Sequence, residues 1–253
     1  MATFLMIHGA WHDGHAFDPL RAGLEAQGHS LLAPTLPGIG GDDAALAAVT
    51  LAGWADFVAD LARRQAGPVI LCGHSRGGIV ISEAAERAPE AIAALVYISA
   101  FLIPSGRTLN DLVAEAPRIP EFDAGLSPAA NGAALAISPA GALATFYHRA
   151  PAEAARAACA WLTPEPLAPF ATPLALTPAR YGRVPRHYIE CLDDQAIPLA
   201  QQRAMQAALP CASVAMLDSD HSPFLTCPGA LVEALDRIAE NARSAMAPPR
   251  KKA

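Results

Sequence analysis

The stretch LCGHSRGGIVIS, Leu71 to Ser82, places a serine among glycines at the end of an apolar run that begins at Val69. A second apolar run follows it. Glycines can simply make a turn, and a serine can simply cap a helix. The other reading is chemical. Gly73-His74-Ser75-Arg76-Gly77 matches G-x-S-x-G, the pattern of a serine held on a sharp turn between a strand and a helix. The glycines then remove side chains that would collide where strand and helix approach. The context this needs is in place: Val69–Cys72 reads as a buried strand and Arg76–Arg87 as a helix. The amides at the start of that helix, and its positive dipole end, would face an anion formed at Ser75.

Outward from Ser75, short apolar runs alternate with helical patterns. Thr3–Ile7, Ser30–Ala33 and Leu95–Ser99 read as further strands, and Phe17–Gln27 and Leu51–Gln65 as helices, each stopped by glycine. Continuous apolar strands of this kind are buried on both faces of a parallel sheet, with helices on either side. The alternation stops between Pro104 and Pro185. It resumes with the strand Arg186–Cys191, the helix Leu199–Leu209, the strand Ser213–Leu217 and a last helix from Pro228 to Arg243. The expected fold is α/β, a mostly parallel sheet of about six strands. The core is 1–103 with 186–245, and a helical cap, 104–185, follows the fourth strand. The cap carries Phe122, Phe146, Tyr147, Trp161 and Phe170, too many aromatics for a structureless insert of that length. Residues 246–253 read as a disordered tail.

The composition sets limits. Of 253 residues 53% are hydrophobic and 17% charged, enough to bury a large core. The net charge of −6 argues against nucleic acid or an anionic membrane surface as partner. Five cysteines, at 72, 159, 191, 211 and 227, form no C-x-x-C pair, so neither a zinc site nor a disulfide framework is indicated. No basic segment precedes the first strand as in a signal peptide, and a cytoplasmic location is expected. The partner is a small molecule; a homodimer is compatible with the sequence.

A nucleophilic serine needs a base, and the base an orienting acid; around an elbow of this kind they follow in the order acid, then histidine. His221 lies in the polar loop Leu217–Pro223 after a strand, whereas His187 lies inside one and reads as packing. Two aspartates compete for the acid after Arg186–Cys191. The spacing of Asp194 to Ile197-Pro198 favours it over Asp193, because the proline opens the next helix and leaves Asp194 in the loop. Asp218 and Asp220 read as solvated loop residues or turn caps. A hole for an oxyanion needs two backbone amides. Ala10, in His8-Gly9-Ala10-Trp11-His12 after the first strand, and Arg76 are placed to supply them, with the Arg76 side chain expected to point outward. His8, His12 and His15 raise the question of zinc. A buried His8 tying down loop backbone is the preferred reading, and no metal or cofactor is expected.

Taken together, HGAWH, GHSRGG, YIECLDDQAIPLAQQ and DHSPFL resemble the α/β-hydrolases, in the branch of plant methylesterases, hydroxynitrile lyases and bacterial esterases. The resemblance spans nearly the whole chain except the cap. It implies Ser75, His221 and Asp194 as catalytic triad and Ala10 and Arg76 as oxyanion amides. It also implies that no antiparallel hairpin precedes the first strand. Esterases of the branch form an acyl-enzyme. Its lyases use the same serine and histidine on a cyanohydrin, with an acidic residue before the serine and a lysine after the base. Here those two positions are His74 and Ser222, so a serine esterase for small aryl, short-chain or methyl esters is the leading expectation. A lyase-like or carbon–carbon hydrolase is the alternative, and an inactive binding protein a further class. Trp11, Phe122, Phe146, Tyr147, Trp161 and Phe170 are the candidate lining of the substrate pocket.

Overall fold

The structure, a computed structural model, describes residues 1–246. Nine strands run in chain order: β1 Thr3–Ile7, β2 Ser30–Leu32, β3 Val69–His74, β4 Ile92–Ile98, β5 Leu126–Ala129, β6 Ala134–Ile137, β7 Glu165–Pro166, β8 Arg186–Cys191 and β9 Ser213–Leu217. Six of them form one sheet in the order β2-β1-β3-β4-β8-β9, and every pairing in it is parallel. Side chains alternate between its faces, as strand geometry requires. Leu5, Ile7, Leu71, Leu95 and Tyr97 pack on one side with Trp54 and Val58 of the helix Leu51–Arg63 and Val80 of the helix Gly77–Arg87. Phe4, Met6, Ile70, Val96 and Ile189 pack on the other with Leu231, Leu235 and Ile238 of the helix Pro228–Met246. Each fully buried Leu, Ile or Phe contributes about 1.5–3 kcal/mol. With both faces covered, the central strands β1, β3 and β4 are apolar over most of their length.

The segment between β4 and β8 is not purely helical. It holds the helices Leu109–Glu115, Pro139–Thr145 and Ala152–Cys159, but also a small antiparallel sheet, β5-β6-β7. The hairpin between β5 and β6 turns through Ala130, Asn131 and Gly132, all at positive φ. Asn-Gly is a strong hairpin signal, and alanine-rich flanks, good helix formers by propensity, obscured it. The expected tail from residue 247 onward lies outside the described residues; Met246 closes the last helix. Among the described residues no helix is long and apolar enough to cross a membrane.

Between β3 and its following helix the chain turns at Ser75, which takes a φ of 54°. The turn is tight enough to need glycine on both sides. A β-carbon on Gly73 would stand 2.7 Å from the Gly77 carbonyl oxygen, and one on Gly77 only 2.5 Å from that of Ile7, at the end of β1. The helix therefore rests directly on the backbone that leads into His8–Trp11.

Three buried histidines anchor these strand ends, and both ring nitrogens of His8 and of His12 have partners. The Leu36 N–H donates to His8 Nε2 at 3.1 Å, so Nδ1 carries the proton and donates to the Gly9 carbonyl at 2.9 Å. His12 Nδ1 donates to the Ala10 carbonyl at 2.6 Å, and the Tyr147 hydroxyl donates to its Nε2 at 2.5 Å. His74 Nε2 donates to the His221 carbonyl at 2.8 Å. Burial pushes all three down, His12 to about 4; the Arg76 charge adds to the effect at His8 and the neighbouring His221 at His74.

Two outcomes are expected. Gly77→Ala should destabilise by about 1–3 kcal/mol through overpacking, read as a lower urea midpoint; an unchanged midpoint would mean the helix shifts freely. The histidine pKa values are depressed in the folded state, so their contribution is complete above about pH 6.5 and is lost as pH falls. Urea midpoints from pH 7.5 to 5 should fall, the slope approaching about 1.4 kcal/mol per pH unit for each ring. A flat profile would show that these rings protonate without cost.

Candidate active site

Ser75 stands at the C-terminal edge of the large sheet, where ligands of open α/β sheets sit. Its strained backbone is held by neighbours: its N–H donates to the Ile98 carbonyl at 3.3 Å, and its carbonyl accepts from the N–H groups of Gly78 and Phe101 at 3.1 and 3.0 Å. A residue other than glycine at such a φ costs about 1–3 kcal/mol and persists only where the surroundings enforce it.

Asp194 and His221 come together across two loops. His221 Nδ1 lies 2.7 Å from Asp194 Oδ2, and both side chains are buried. The Ser99 hydroxyl donates to the same Oδ2. The other oxygen, Oδ1, accepts from the N–H groups of Ala196 and Ile197 at 2.7 and 2.8 Å. Four donors thus hold the Asp194 carboxylate. Asp193 is half exposed and faces the cap instead, 3.3 Å from His148 Nε2.

The His221 loop is fastened at several points. His74, next to Ser75, holds the His221 carbonyl as described, and the two rings lie 4.6 Å apart. Asp220 is fully buried, so of the two alternatives, solvated residue or turn cap, it is the turn cap. It accepts from the Ser222 N–H at 3.1 Å, the Thr226 hydroxyl at 2.6 Å and the Arg149 N–H of the cap at 2.9 Å. Asp218 is exposed, as expected, and pairs with the Arg149 guanidinium at 2.5 Å.

A cavity of about 560 Å³ opens beside Ser75, and Ala10, Trp11 and Arg76 share its wall with cap residues such as Leu109, Val113 and Leu126. Ala10 and Arg76 have free backbone amides: among the described residues neither donates to a protein acceptor. Trp11, Phe122, Phe146 and Phe170 line this cavity. Trp11 and Phe146 stack with centroids 5.8 Å apart, and Phe122 meets Trp11 edge-on. Tyr147 and Trp161 do not line it. Tyr147 is drawn to His12 by its hydrogen bond. Trp161 is 57% exposed and stacks on His15 beside a second, smaller cavity between the helix Ala152–Cys159 and the segment Gly14–Leu20.

The Arg76 side chain does not point outward. It is buried over the Trp54 ring and pairs with Glu165 of β7 at 2.8 Å. Burial pushes the Glu165 carboxyl up while Arg76 opposes that, and burial pushes the guanidinium down while Glu165 opposes it. Ser99, Asp220, Arg149 and Glu165 were not anticipated from sequence. Only Ser99 left a mark there, as a polar residue closing an apolar strand at the sheet edge.

The sequence pattern of the α/β-hydrolase family matches residues 4–234. A pyrethroid hydrolase of Sphingobium wenxiniae is 34% identical over 253 residues, covering 95% of this chain and 88% of that protein. Methylesterase 17 of Arabidopsis thaliana is 28% identical over 258 residues, covering 93% and 91%. Among solved structures, a pyrethroid hydrolase from Sphingobium faniae JZ-2 superposes with a TM-score of 0.83 at 32% identity, covering 96% of this chain and 98% of that one. With a strained serine closing the third strand of its parallel sheet, and the family pattern running through almost all of that sheet and the cap, the chain belongs to the α/β-hydrolase family.

Proposed function

We propose that the chain is a carboxylic ester hydrolase that works through an acyl-enzyme on Ser75. The observation that carries this reading is the elbow. Ser75, strained at a φ of 54°, shares one cavity wall with the free amides of Ala10 and Arg76, and the preceding residue, His74, is hydrogen-bonded to His221 of a buried His221–Asp194 pair. In the proposed reaction His221 takes the Ser75 proton as the oxygen attacks the ester carbonyl. The amides of Ala10 and Arg76 receive the oxyanion. His221 then protonates the leaving alcohol, and water activated by the same ring releases the acid. Asp194 holds the imidazole in the tautomer with its proton on Nδ1 and balances the imidazolium.

The cavity guides the substrate class. Its volume and its apolar, aromatic wall fit an ester with a bulky hydrophobic group better than one with a small polar acid. The relatives named for pyrethroid hydrolysis and for methyl ester cleavage agree with an ester of that kind. A cyanide-releasing lyase would need a cation beside the base. Ser222 follows His221, and the chain has no lysine before Lys251. Loss of function as a mere binding protein is disfavoured because no member of the serine–histidine–aspartate set is missing.

Hydrolysis of p-nitrophenyl acetate, butyrate and hexanoate at neutral pH, with mandelonitrile cleavage in parallel, tests the reading. Wild type should hydrolyse the esters, with kcat/KM rising up to about fourfold per CH2 group buried. Ser75→Ala should lose nearly all turnover with its fold intact. Cyanohydrin cleavage without ester hydrolysis would replace the esterase by a lyase. Asp194→Asn should lower kcat about 10³–10⁴-fold by favouring the wrong tautomer of His221; near-normal kcat would remove Asp194 from the mechanism.

A further inference from the structure

The Ala10 amide belongs to the same peptide unit as the Gly9 carbonyl. In a trans peptide the two point in opposite directions, so whatever grips the Gly9 oxygen also aims the Ala10 N–H. That oxygen has two donors. His8 Nδ1 donates to it at 2.9 Å, and Arg76 Nη2 donates to it at 3.0 Å. The second is cationic, and charge-assisted hydrogen bonds are shorter and stronger than neutral ones.

The guanidinium is itself held from two sides. Its carbon lies 4.3 Å from the centre of the Trp54 ring. Nε donates to Glu165 Oε1 at 2.8 Å and Nη2 to Oε2 at 3.4 Å, with both side chains only 1% exposed. Oε2 also accepts from the Trp11 N–H at 3.2 Å. One carboxylate of the cap strand β7 therefore grips the peptide after Ala10 directly and the peptide before Ala10 through Arg76. Trp11 is held at a φ of 61° within this bracket.

We propose that Arg76 and Glu165 form a positioning pair for the oxyanion hole: the Arg76 side chain aims and polarises the Gly9–Ala10 peptide, and Glu165 brings the cap into that task. This rests on the esterase reading. Arg76 then serves twice, its own N–H as one oxyanion donor and its side chain as the brace of the other. A donor peptide held by a cation on its carbonyl is both fixed in direction and more acidic at its N–H. Both effects matter most when negative charge develops on the substrate, and little while it is a neutral ester. Removing the pair should thus lower kcat and leave KM nearly unchanged.

Single removal of either partner would strand a buried charge and endanger the fold. The test therefore rests on the double variant Arg76→Met with Glu165→Met; Glu165→Gln, which keeps the shape and one acceptor but leaves the guanidinium without its counter-charge, is added where melting shows it folded. Each is compared with wild type and Ser75→Ala for p-nitrophenyl butyrate hydrolysis and for inhibition by phenylboronic acid, which forms a tetrahedral adduct on a reactive serine. Thermal melting establishes that each variant is folded at the assay temperature. Complete loss of one oxyanion donor costs about 10²–10³-fold. A donor left in place but no longer aimed should cost the double variant about 10- to 100-fold in kcat. KM should stay within about twofold and boronate affinity should fall by the same factor as kcat. Glu165→Gln should move in the same direction by a smaller factor. Wild-type kcat and boronate affinity in a folded double variant would overturn the proposal and reduce the pair to packing. A change confined to KM would overturn it too, by making these groups substrate contacts. An inert wild type would instead remove the esterase reading itself, and the proposal with it.

Discussion

The helix after Ser75 lies so close to the end of β1 that a single methyl group on Gly77 would collide with the Ile7 carbonyl. That approach sets most of the site. It brings the first amides of the helix beside the turn His8–Trp11, so Arg76 and Ala10 share one wall of the cavity. It also forces Ser75 into a left-handed conformation, held by hydrogen bonds to β4 and the segment after it. Local strain here is the price of geometry, and the buried sheet on either side sustains it.

The cap is bonded into this machinery as well as covering it. Glu165 reaches the Ala10 turn, Tyr147 reaches His12, and the Arg149 backbone reaches Asp220 in the His221 loop. Tyr147 and Arg149 make their contacts from one turn of the cap and Glu165 from its small sheet. His12 receives the Tyr147 hydroxyl on one nitrogen and holds the Ala10 carbonyl with the other, so a single buried ring ties the cap to the turn.

Much of the core could be read in advance because its strands alternate in sequence with helical patterns, and the central ones are apolar runs. Thr3–Ile7, Arg186–Cys191 and Ser213–Leu217 have the bounds that their residues suggest. Local spacing also singled out Ser75, and it favoured Asp194, the aspartate that lies against His221. The cap was harder. Its strands β5 and β6 are short and alanine-rich, and β7 is two residues long, so periodicity had little to act on. Arg76 shows a different limit. Its place after Ser75 fixes its backbone, but where the side chain goes depends on Glu165, 89 positions away. Trp161 and Tyr147 were misplaced for the same reason: an aromatic ring has no local signal for which of two cavities it faces.

Glu165 lies in the shortest strand of the least regular part of the chain, yet it is fully buried against the core. That placement divides the cap into two kinds of surface. Val113, half exposed at the cavity rim, and Asn110 beside it are the kind of position that can be exchanged to suit a new ester. Glu165, Tyr147 and Arg149 are tied to a backbone amide, an imidazole and a carboxylate beneath them and cannot drift in the same way. A graft that replaced the whole cap with one from a distant relative would leave the Arg76 guanidinium buried without a counter-ion. Specificity in this scaffold can therefore be retuned residue by residue more safely than by transplanting the lid.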